Sequence, residues 1–369
     1  MKPRIVHYYP RALSGDGGCS SAVRGWASAV AHAGAQVLVV SDQDGEAPLD
    51  SEVRWLSVPH RGRGQLRAPV GLERTLPGND VLVLHSGWVY HNIVAARSAV
   101  QSGLPYILTP HGAYDPNVRR RRGSLKRLWW NALERRLVTR AVALHVFFED
   151  QREHVRDLGY TGPVVVAPNG LTIPDFDAET VVPSDYLLWM GRFDLETKGV
   201  DLLLRALAAL DPRERPQARL HGPDWRGGKQ RAFELVRELG LEDSVVIGPA
   251  LYGADKWRAL RECRLFVFPS RWDAQGLIAL EAAAVSAPLL VTNTTSLGRY
   301  LGANDAAVVV DATAESIAAG IIAAYSSQAL NLGVRASQLV RERFSWPVVA
   351  SSYATQIEAL VEERFTATY

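Results

Sequence analysis

Two carboxylates near residue 280 have a spacing that suits a ligand rich in hydroxyl groups. Asp273 and Glu281 are eight residues apart in the stretch FPSRWDAQGLIALE. Strong helix formers follow Gly276, which predicts a loop around Asp273 and a helix that carries Glu281 about one turn in. The amides of Gly276 and Leu277 are predicted to be unpaired and, with the helix dipole, to favour a phosphate. A sugar nucleotide fits this set. In the alternative interpretation, Asp273 caps the helix and Glu281 is a solvated helix residue.

Two cations follow an earlier apolar run. In MGRFDLETKGV, Arg192 ends a predicted strand and Lys198 closes a short loop before a helix that starts near Val200. Both are expected to reach the strand-end edge of a sheet. Fixed cations there would stabilise the charge that builds up on a departing nucleoside diphosphate. In the alternative reading both are solvated surface cations.

These two stretches resemble the retaining family 4 glycosyltransferases, which have the two-domain GT-B fold. The family pattern is Glu, seven residues, Glu; here Asp273 holds the first place, and Ala274 to Leu277 replace the usual Gly-Phe-Gly-Leu. The shorter carboxylate bears on which donor sugar is taken. The resemblance implies transfer of a hexose-type sugar from a nucleoside diphosphate donor, UDP before GDP, with retention of configuration. No metal is expected, since no Asp-x-Asp pair or His/Cys cluster stands in a suitable setting.

Further site residues are implied by the same resemblance. His111, in PHGAYDP, matches the histidine that contacts the donor sugar, and it would join Arg192, Lys198 and Asp273 as a catalytic residue. The other donor-binding positions are Gly17, Gly18, Gly222, Leu251, Gly276, Leu277 and Glu281. From the residues alone, His85 also stands at a predicted strand end, where a hydrogen-bonded wall residue is the common outcome.

Other functions remain as alternatives. Gly15, Gly17 and Asp42 fit part of a dinucleotide-binding pattern, but position 20 is Ser, not Gly. A sugar-nucleotide epimerase and a phosphorylase share the GT-B fold, although no lysine site for a pyridoxal group is apparent. A non-catalytic sugar-binding protein is the third alternative. The acceptor is not identified and is expected to be a glycan, a lipid-linked glycan or a small molecule.

The composition sets the broad class. With 369 residues, 47% of them apolar, the chain is expected to form two domains. A net charge of +2 makes no case for nucleic acid as a partner. Cys19 and Cys263 fit neither a disulfide framework nor a metal site, which indicates a reducing compartment. Without a long apolar run or a signal peptide, a cytoplasmic protein is expected.

One segment has a strong local charge. Between Arg119 and Arg140 there are nine basic residues and one acid, Glu134, with Trp129 and Trp130 in the middle. Basic residues with interfacial tryptophans suit an anionic membrane surface, so peripheral contact with the inner face of a membrane is one prediction. The alternatives are a solvated helix whose tryptophans face the core, and docking of an anionic acceptor.

The elements that would position these residues recur regularly. Apolar runs bounded by turn residues alternate with helix-capable stretches in both halves, which predicts two doubly wound parallel sheets facing a central cleft. We expect an N-terminal domain at 1–180, a nucleotide-sugar domain at 181–345 and, by the resemblance, a C-terminal helix at 346–369 that packs back on the first domain. The strands are predicted at 4–9, 36–42, 53–59, 80–86, 105–112, 142–148, 164–170, 186–192, 217–222, 244–248, 265–269, 288–293 and 306–311.

Overall fold

The computed structural model describes residues 2–11, 13, 18–42, 49–120, 123–175, 184–325 and 328–366. The chain divides into two compact units. Unit 1 comprises Met1–Gly170 and Phe344–Tyr369, and unit 2 comprises Leu171–Arg343. Residue 180, where the sequence predicts a boundary, lies outside the described residues.

Unit 1 is organised around a parallel sheet. Its strands are β1 Arg4–Tyr8, β2 Gln36–Ser41, β3 Val53–Ser57, β4 His60–Arg61, β5 Ala68–Pro69, β6 Val81–His85, β7 Tyr106–Thr109, β8 Ala143–Val146 and β9 Val164–Val166. Seven of them form the sheet, in the order β3-β2-β1-β6-β7-β8-β9, while β4 and β5 make a short antiparallel pair. The helices are α1 Gly18–His32, α2 Tyr90–Gln101, α3 Pro116–Arg120, α4 Gly123–Trp129, α5 Arg135–Arg140 and α6 Gln151–Arg156, with a π-helical turn at Trp130–Glu134.

Both faces of this sheet are covered, which explains why its strands read as continuous apolar runs. Side chains alternate between faces along each strand. In β1, Ile5 packs with Trp26 of α1 on one face, whereas Val6 packs with Ile93 of α2 on the other. Each full burial of such a side chain contributes about 1.5–3 kcal/mol to folding.

Unit 2 repeats the plan with six parallel strands. They are β10 Ser184–Met190, β11 Gln217–His221, β12 Val245–Gly248, β13 Cys263–Phe268, β14 Leu289–Thr292 and β15 Val308–Val310, in the order β12-β11-β10-β13-β14-β15. Its helices are α7 Leu195–Lys198, α8 Val200–Ala209, α9 Gly228–Glu238, α10 Gly253–Glu262, α11 Leu277–Ala284, α12 Ser296–Ala303, α13 Ala314–Ala324 and α14 Gln328–Arg343. Apolar residues of β10 and β13, such as Trp189 and Val267, share a core with Leu203 and Leu207 of α8.

The last helix, α15 Trp346–Thr366, belongs to unit 1. Tyr353 packs on Trp26 of α1, with ring centroids 4.5 Å apart. Gly25 and Gly170 leave room for the Trp346 ring, since a Cβ at either position would lie 2.0 or 2.4 Å from it. The aromatic side chains therefore fix this helix against the first sheet.

The architecture confirms the predicted fold class of two parallel α/β sheets. A strand is present in every run that the sequence predicts. The short pair of β4 and β5 is not among the predicted strands, because two-residue strands carry no periodic signal.

Candidate functional site

The predicted residues of unit 2 gather where the order of its strands reverses. Strands β11 and β12 lie on one side of β10, and β14 and β15 lie beyond β13 on the other. The loops that follow the adjacent strands β10 and β13 therefore start from the same edge of the sheet. Ligands of doubly wound sheets bind at the carboxyl ends of strands at such a reversal.

Lys198 and Asp273 meet across these two loops. Lys198 Nζ forms an ion pair with Asp273 Oδ2. Oδ1 of the same carboxylate accepts hydrogen bonds from the amides of Gln275, at 3.2 Å, and Gly276, at 2.9 Å. Burial works against ionisation, but Lys198 and the two amides outweigh it, so the pKa of Asp273 is lowered. Asp273 is therefore a largely buried, charged group that links Lys198 to the loop directly before α11.

This geometry changes the expectation for the helix start. The sequence predicts an unpaired Gly276 amide, whereas in the structure this amide donates to Asp273. Gly276 has a φ of 80°, and a Cβ there would lie 2.8 Å from Leu297 Cδ2. Leu277 is the first residue of α11. Among the described residues, Asp273 thus binds two amides that precede α11 and none of its first turn, so it is not the helix cap of the alternative reading, and its other oxygen binds Lys198.

Arg271 forms hydrogen bonds that connect the same two loops. Its guanidinium forms two hydrogen bonds with Asp201 of α8, at 2.8 and 2.7 Å, and a third with the carbonyl of Leu195. Its backbone amide donates to the carbonyl of Thr197 at 2.9 Å. Gly199, which directly follows Lys198, has a φ of 65°, and a Cβ there would lie 1.9 Å from the Pro269 carbonyl oxygen. The position of Lys198 is thereby fixed from both sides.

Glu281 has a cationic partner that lies on another helix. Lys256 Nζ of α10 lies 2.8 Å from Glu281 Oε1, and the two side chains are 22% and 17% exposed. Burial raises the pKa of Glu281, and Lys256 opposes this rise. Glu281 projects from the second turn of α11, as predicted. It is not the solvated residue of the alternative reading.

Arg192 differs from Lys198 in having no carboxylate partner among the described residues. It lies two residues beyond the end of β10, is exposed, and has its guanidinium carbon 4.1 Å from the centroid of the Trp225 ring. A guanidinium over an indole face gains a cation–π attraction of about 0.5–1 kcal/mol at an exposed site. The stacking orders Arg192 while its charge stays available for an anion.

Two other predicted positions in unit 2 have contrasting surroundings. Gly222 directly follows β11 and is buried, and a Cβ there would lie 1.7 Å from the Gly191 carbonyl oxygen. Close packing of backbone therefore requires glycine here with or without a ligand. Leu251 lies in the loop before α10 and is partly exposed.

In unit 1, His111 is the end of a row of three histidines. His7 Nδ1 of β1 lies 3.0 Å from Nε2 of His85, the last residue of β6. His85 Nδ1 lies 2.9 Å from Nε2 of His111, which follows β7. Desolvation lowers the pKa of His7 and of His111 to about 3, and that of His85 well below its ordinary value. All three rings are therefore neutral at physiological pH.

The glycine loop is only partly described. Gly15 and Gly17 lie outside the described residues. Gly18 is the first residue of α1, and apart from the adjoining backbone no atom of the described residues would lie within 4 Å of a Cβ at this position. Asp42, the acid of the dinucleotide alternative, is buried and paired with Arg67 Nε at 2.8 Å. The pairing uses one oxygen of the carboxylate that would have to bind a ribose.

The basic segment turns its tryptophans inward. Trp129 Nε1 donates to Glu134 at 2.8 Å, and Trp130 packs against the core of unit 1. These contacts are the ones expected from the core-facing alternative. In contrast, Leu125 and Leu128 of α4 are 60% and 68% exposed. Arg121 and Arg122 lie outside the described residues.

The described residues contain neither a candidate membrane span nor a candidate metal centre. None of the helices found there has the length and apolar character needed to cross a bilayer. No group of three or more His, Cys, Asp or Glu side chains in that part of the chain is arranged to hold a metal ion. Metal independence stays a prediction.

Sequence comparisons match both halves of the chain. A family model described as glycosyl transferases group 1 matches residues 175–342, and one described as a glycosyl transferase 4-like domain matches residues 17–170. D-inositol 3-phosphate glycosyltransferase of Kineococcus radiotolerans is 29% identical over 63% of this chain and 60% of its own length. The chain thus spans less than two thirds of that relative.

Two longer matches complete the comparison. GDP-mannose:cellobiosyl-diphosphopolyprenol alpha-mannosyltransferase of Xanthomonas oryzae is 20% identical over 85% of this chain and 84% of its own. The crystal structure of Anabaena HepE in complex with UDP and glucose superposes with a TM-score of 0.76 at 16% identity, covering 97% of this chain and all of that one. Together the family models and these relatives show that the chain belongs to the family 4 type glycosyltransferases and has the GT-B fold.

Proposed function

We propose that the protein is a retaining, metal-independent hexosyltransferase that uses a nucleoside diphosphate sugar as donor. The observation that carries this proposal is the ion pair of Lys198 and Asp273 at the strand-order reversal of unit 2, where Arg192 also lies just beyond the end of β10. Cations fixed before the reaction stabilise a leaving group at no reorganisation cost in the transition state. Family membership supports the same reaction class.

In this mechanism Arg192 and Lys198 hold the diphosphate. Arg192 has no competing carboxylate among the described residues and offers a planar fork that can bind two phosphate oxygens. Lys198 carries a point charge whose position Asp273 and the Arg271 contacts maintain. The bond between the anomeric carbon and the diphosphate oxygen breaks, and these cations compensate the charge that the oxygen gains.

Glu281 binds hydroxyls of the donor ribose rather than acting as an acid or base. Lys256 binds one carboxylate oxygen of Glu281, and the second oxygen would accept hydrogen bonds from the ribose hydroxyls. Such charge-assisted hydrogen bonds are short and strong. Leu277 at the start of α11 and the loop residues Gly222 and Leu251 complete the donor-binding set, and Gly17 and Gly18 serve the same ligand or the acceptor.

His111 orients the transferred sugar. The acceptor hydroxyl attacks the anomeric carbon on the face from which the diphosphate leaves, and a diphosphate oxygen takes the hydroxyl proton. Configuration is thereby retained, and no protein base is required. Arg192 and Lys198 remain the main charge-stabilising groups.

As the donor we propose a UDP-sugar first and a GDP-sugar as the second choice. HepE, which shares the fold, is described in complex with UDP and glucose, and the Xanthomonas relative is named for GDP-mannose. Hydroxyl groups of a glycan, a lipid-linked glycan or a small molecule are the proposed acceptors. The Xanthomonas relative is named for a diphosphopolyprenol acceptor, which favours the lipid-linked class for this chain.

A lipid-linked acceptor accords with the surface of α4. Leu125 and Leu128 are three residues apart on one face of the helix and stand out among exposed Arg120 and Arg127. Apolar side chains within a basic surface suit the interface of an anionic bilayer, where each nearby basic residue contributes about 1 kcal/mol. We therefore include peripheral membrane contact in the proposal, through these leucines and not through the tryptophans.

A panel of sugar nucleotides tests the activity. We expect release of free nucleoside diphosphate from one donor, accelerated by its acceptor and insensitive to a metal chelator. Interconversion of sugars without release would instead indicate an epimerase, and binding without turnover a sugar-binding protein. A thermal-shift screen of the same panel identifies the nucleotide, because a ligand at a hundred times its Kd stabilises the folded state by about 2.7 kcal/mol.

A further inference from the structure

The row of His7, His85 and His111 lies at the strand-order reversal of the first sheet. His7 is on β1 and His85 ends its neighbour β6, with β2 and β3 on one side and β7 to β9 on the other. The rings of His7 and His85 are stacked with centroids 5.3 Å apart, and the centroids of His85 and His111 are 5.2 Å apart. Two successive nitrogen-to-nitrogen links thus join a buried strand to the predicted sugar-binding residue.

Neutral imidazoles restrict how these links can be made. Each neutral ring has one N–H donor and one acceptor nitrogen, and each link needs one of each. Only two arrangements satisfy both links. If His7 carries its hydrogen on Nδ1, it donates to His85, His85 donates to His111, and the remaining hydrogen of His111 is on Nδ1. If His7 carries its hydrogen on Nε2, every link reverses and His111 Nδ1 becomes an acceptor.

The inner end of the row decides between them. His7 Nε2 is buried and has no hydrogen-bond partner among the residues that the structure describes. In the second arrangement this atom would carry a stranded N–H, and orphaned buried N–H donors are rarer in proteins than under-satisfied acceptors. The first arrangement leaves a lone pair there instead. It is therefore the favoured one, and it makes His111 Nδ1 a donor.

We propose that His7 and His85 are positioning residues that fix the tautomer of His111, so that His111 Nδ1 presents an N–H to an oxygen of the donor sugar. This inference rests on the sugar-binding role proposed for His111. His111 is partly exposed, and its Nδ1 has no partner among the described residues. The residue has a left-handed φ of 48°, a strained conformation of the kind that clusters at ligand-binding sites. The sequence offers no local signal for this row, whose members are 78 and 26 residues apart.

Three variants separate this role from simple packing. His85→Leu removes both links. His85→Gln can restore them, since its side-chain oxygen accepts from His7 and its NH2 group donates to His111. His91→Leu is the matched control, because His91 is also a buried histidine but lies outside the row. The tautomer is read directly from proton–nitrogen correlation spectra of the imidazole groups, and the donor KM and kcat are measured in parallel.

We expect the Nδ1–H form of His111 in the wild type and in His85→Gln, and a mixture of tautomers in His85→Leu. Loss of an orienting partner should lower kcat/KM for the donor by about tenfold or more in His85→Leu, while His85→Gln and His91→Leu stay near wild type. The Nε2–H form in the wild type would overturn the proposal, even if no variant folds. So would an unchanged His111 spectrum or unchanged kinetics in His85→Leu. A wild-type protein with the Nδ1–H form but no turnover of any sugar nucleotide would refute the transferase activity and leave the tautomer control standing.

Discussion

Lys256 and Glu281 form an ion pair between two helices of unit 2, with 2.8 Å between Nζ and Oε1. Removal of Lys256 leaves a largely buried carboxylate without its cation. Because burial already raises the pKa of Glu281, the pKa should rise further in Lys256→Met. We expect a stability loss of about 1–3 kcal/mol at neutral pH.

The loss in Lys256→Met should depend on pH with a definite sign. A folded carboxyl with a raised pKa holds its proton at pH values where the unfolded one has lost it, so stability falls as pH rises through the unfolded pKa. Denaturant unfolding from pH 4 upward should show the variant diverging downward from the wild type. Adding Glu281→Gln should abolish the divergence. An equal pH dependence in Arg231→Met, which breaks two exposed ion pairs, would point to a general charge effect.

Glu281→Gln alone tests the ribose assignment. The amide keeps the shape of the side chain but weakens charge-assisted hydrogen bonds from hydroxyl groups. Donor affinity should therefore fall about tenfold, with a smaller change in the single-turnover rate. Isothermal titration and rapid-quench kinetics measure the two quantities. Unchanged donor binding with lost turnover would make Glu281 a chemical group instead.

Arg192→Ala and Lys198→Ala should each lower turnover by on the order of a hundredfold or more, because each removes a fixed charge from a developing anion. Melting temperatures should separate them. Arg192 is exposed and has no carboxylate partner among the described residues, whereas Lys198→Ala leaves the largely buried Asp273 without its cation. Near-wild-type turnover in either variant, with the same donor, would remove that residue from the diphosphate site.

Asp273→Asn should reduce the loss of folding stability that the protein shows as pH falls. The pKa of Asp273 is lowered in the folded state, so its contribution is present above the unfolded pKa and is lost as pH falls through the folded pKa. The variant should be about 1–2 kcal/mol less stable than the wild type at pH 7, and this difference should shrink on acidification. A constant difference down to low pH would show that the carboxylate is not charged in the folded protein.

Vesicle co-sedimentation tests the membrane contact of α4. Leu125→Ser with Leu128→Ser, and separately Arg120→Ser with Arg127→Ser, should each weaken binding to anionic vesicles by about tenfold. Leu330→Ser with Val334→Ser is the matched control, since that exposed apolar pair lies on a helix of unit 2. Wild-type binding should fade as salt rises. No binding to anionic vesicles at low salt would direct the search to soluble acceptors.

The strands and the first charged residues were predictable because their signals are local. Strands covered on both faces are continuous apolar runs, and a polar residue just after such a run, such as Arg192 or Asp273, falls at the ligand-binding edge. The start of α11 was equally clear, although the pairing of the Gly276 amide was not.

The partners of these residues were not predictable. Glu281 and Lys256 are 25 residues apart, Arg271 and Asp201 are 70 apart, and His7 and His85 are 78 apart. Such pairs depend on how loops and helices pack, and no spacing rule relates them. The direction in which Trp129 and Trp130 face was unpredictable for the same reason. Trp129 donates a hydrogen bond to Glu134, and Trp130 packs against the core of unit 1.

The stacking of Arg192 on Trp225 gives the donor site a built-in optical reporter. Trp225 is 38% exposed, and its ring face is covered by the guanidinium that we assign to the diphosphate. When a nucleotide binds Arg192, the electrostatic environment of this indole changes. Fluorescence titration of the wild type against Trp225→Phe would isolate that signal from the other nine tryptophans and give donor affinity without a coupled assay.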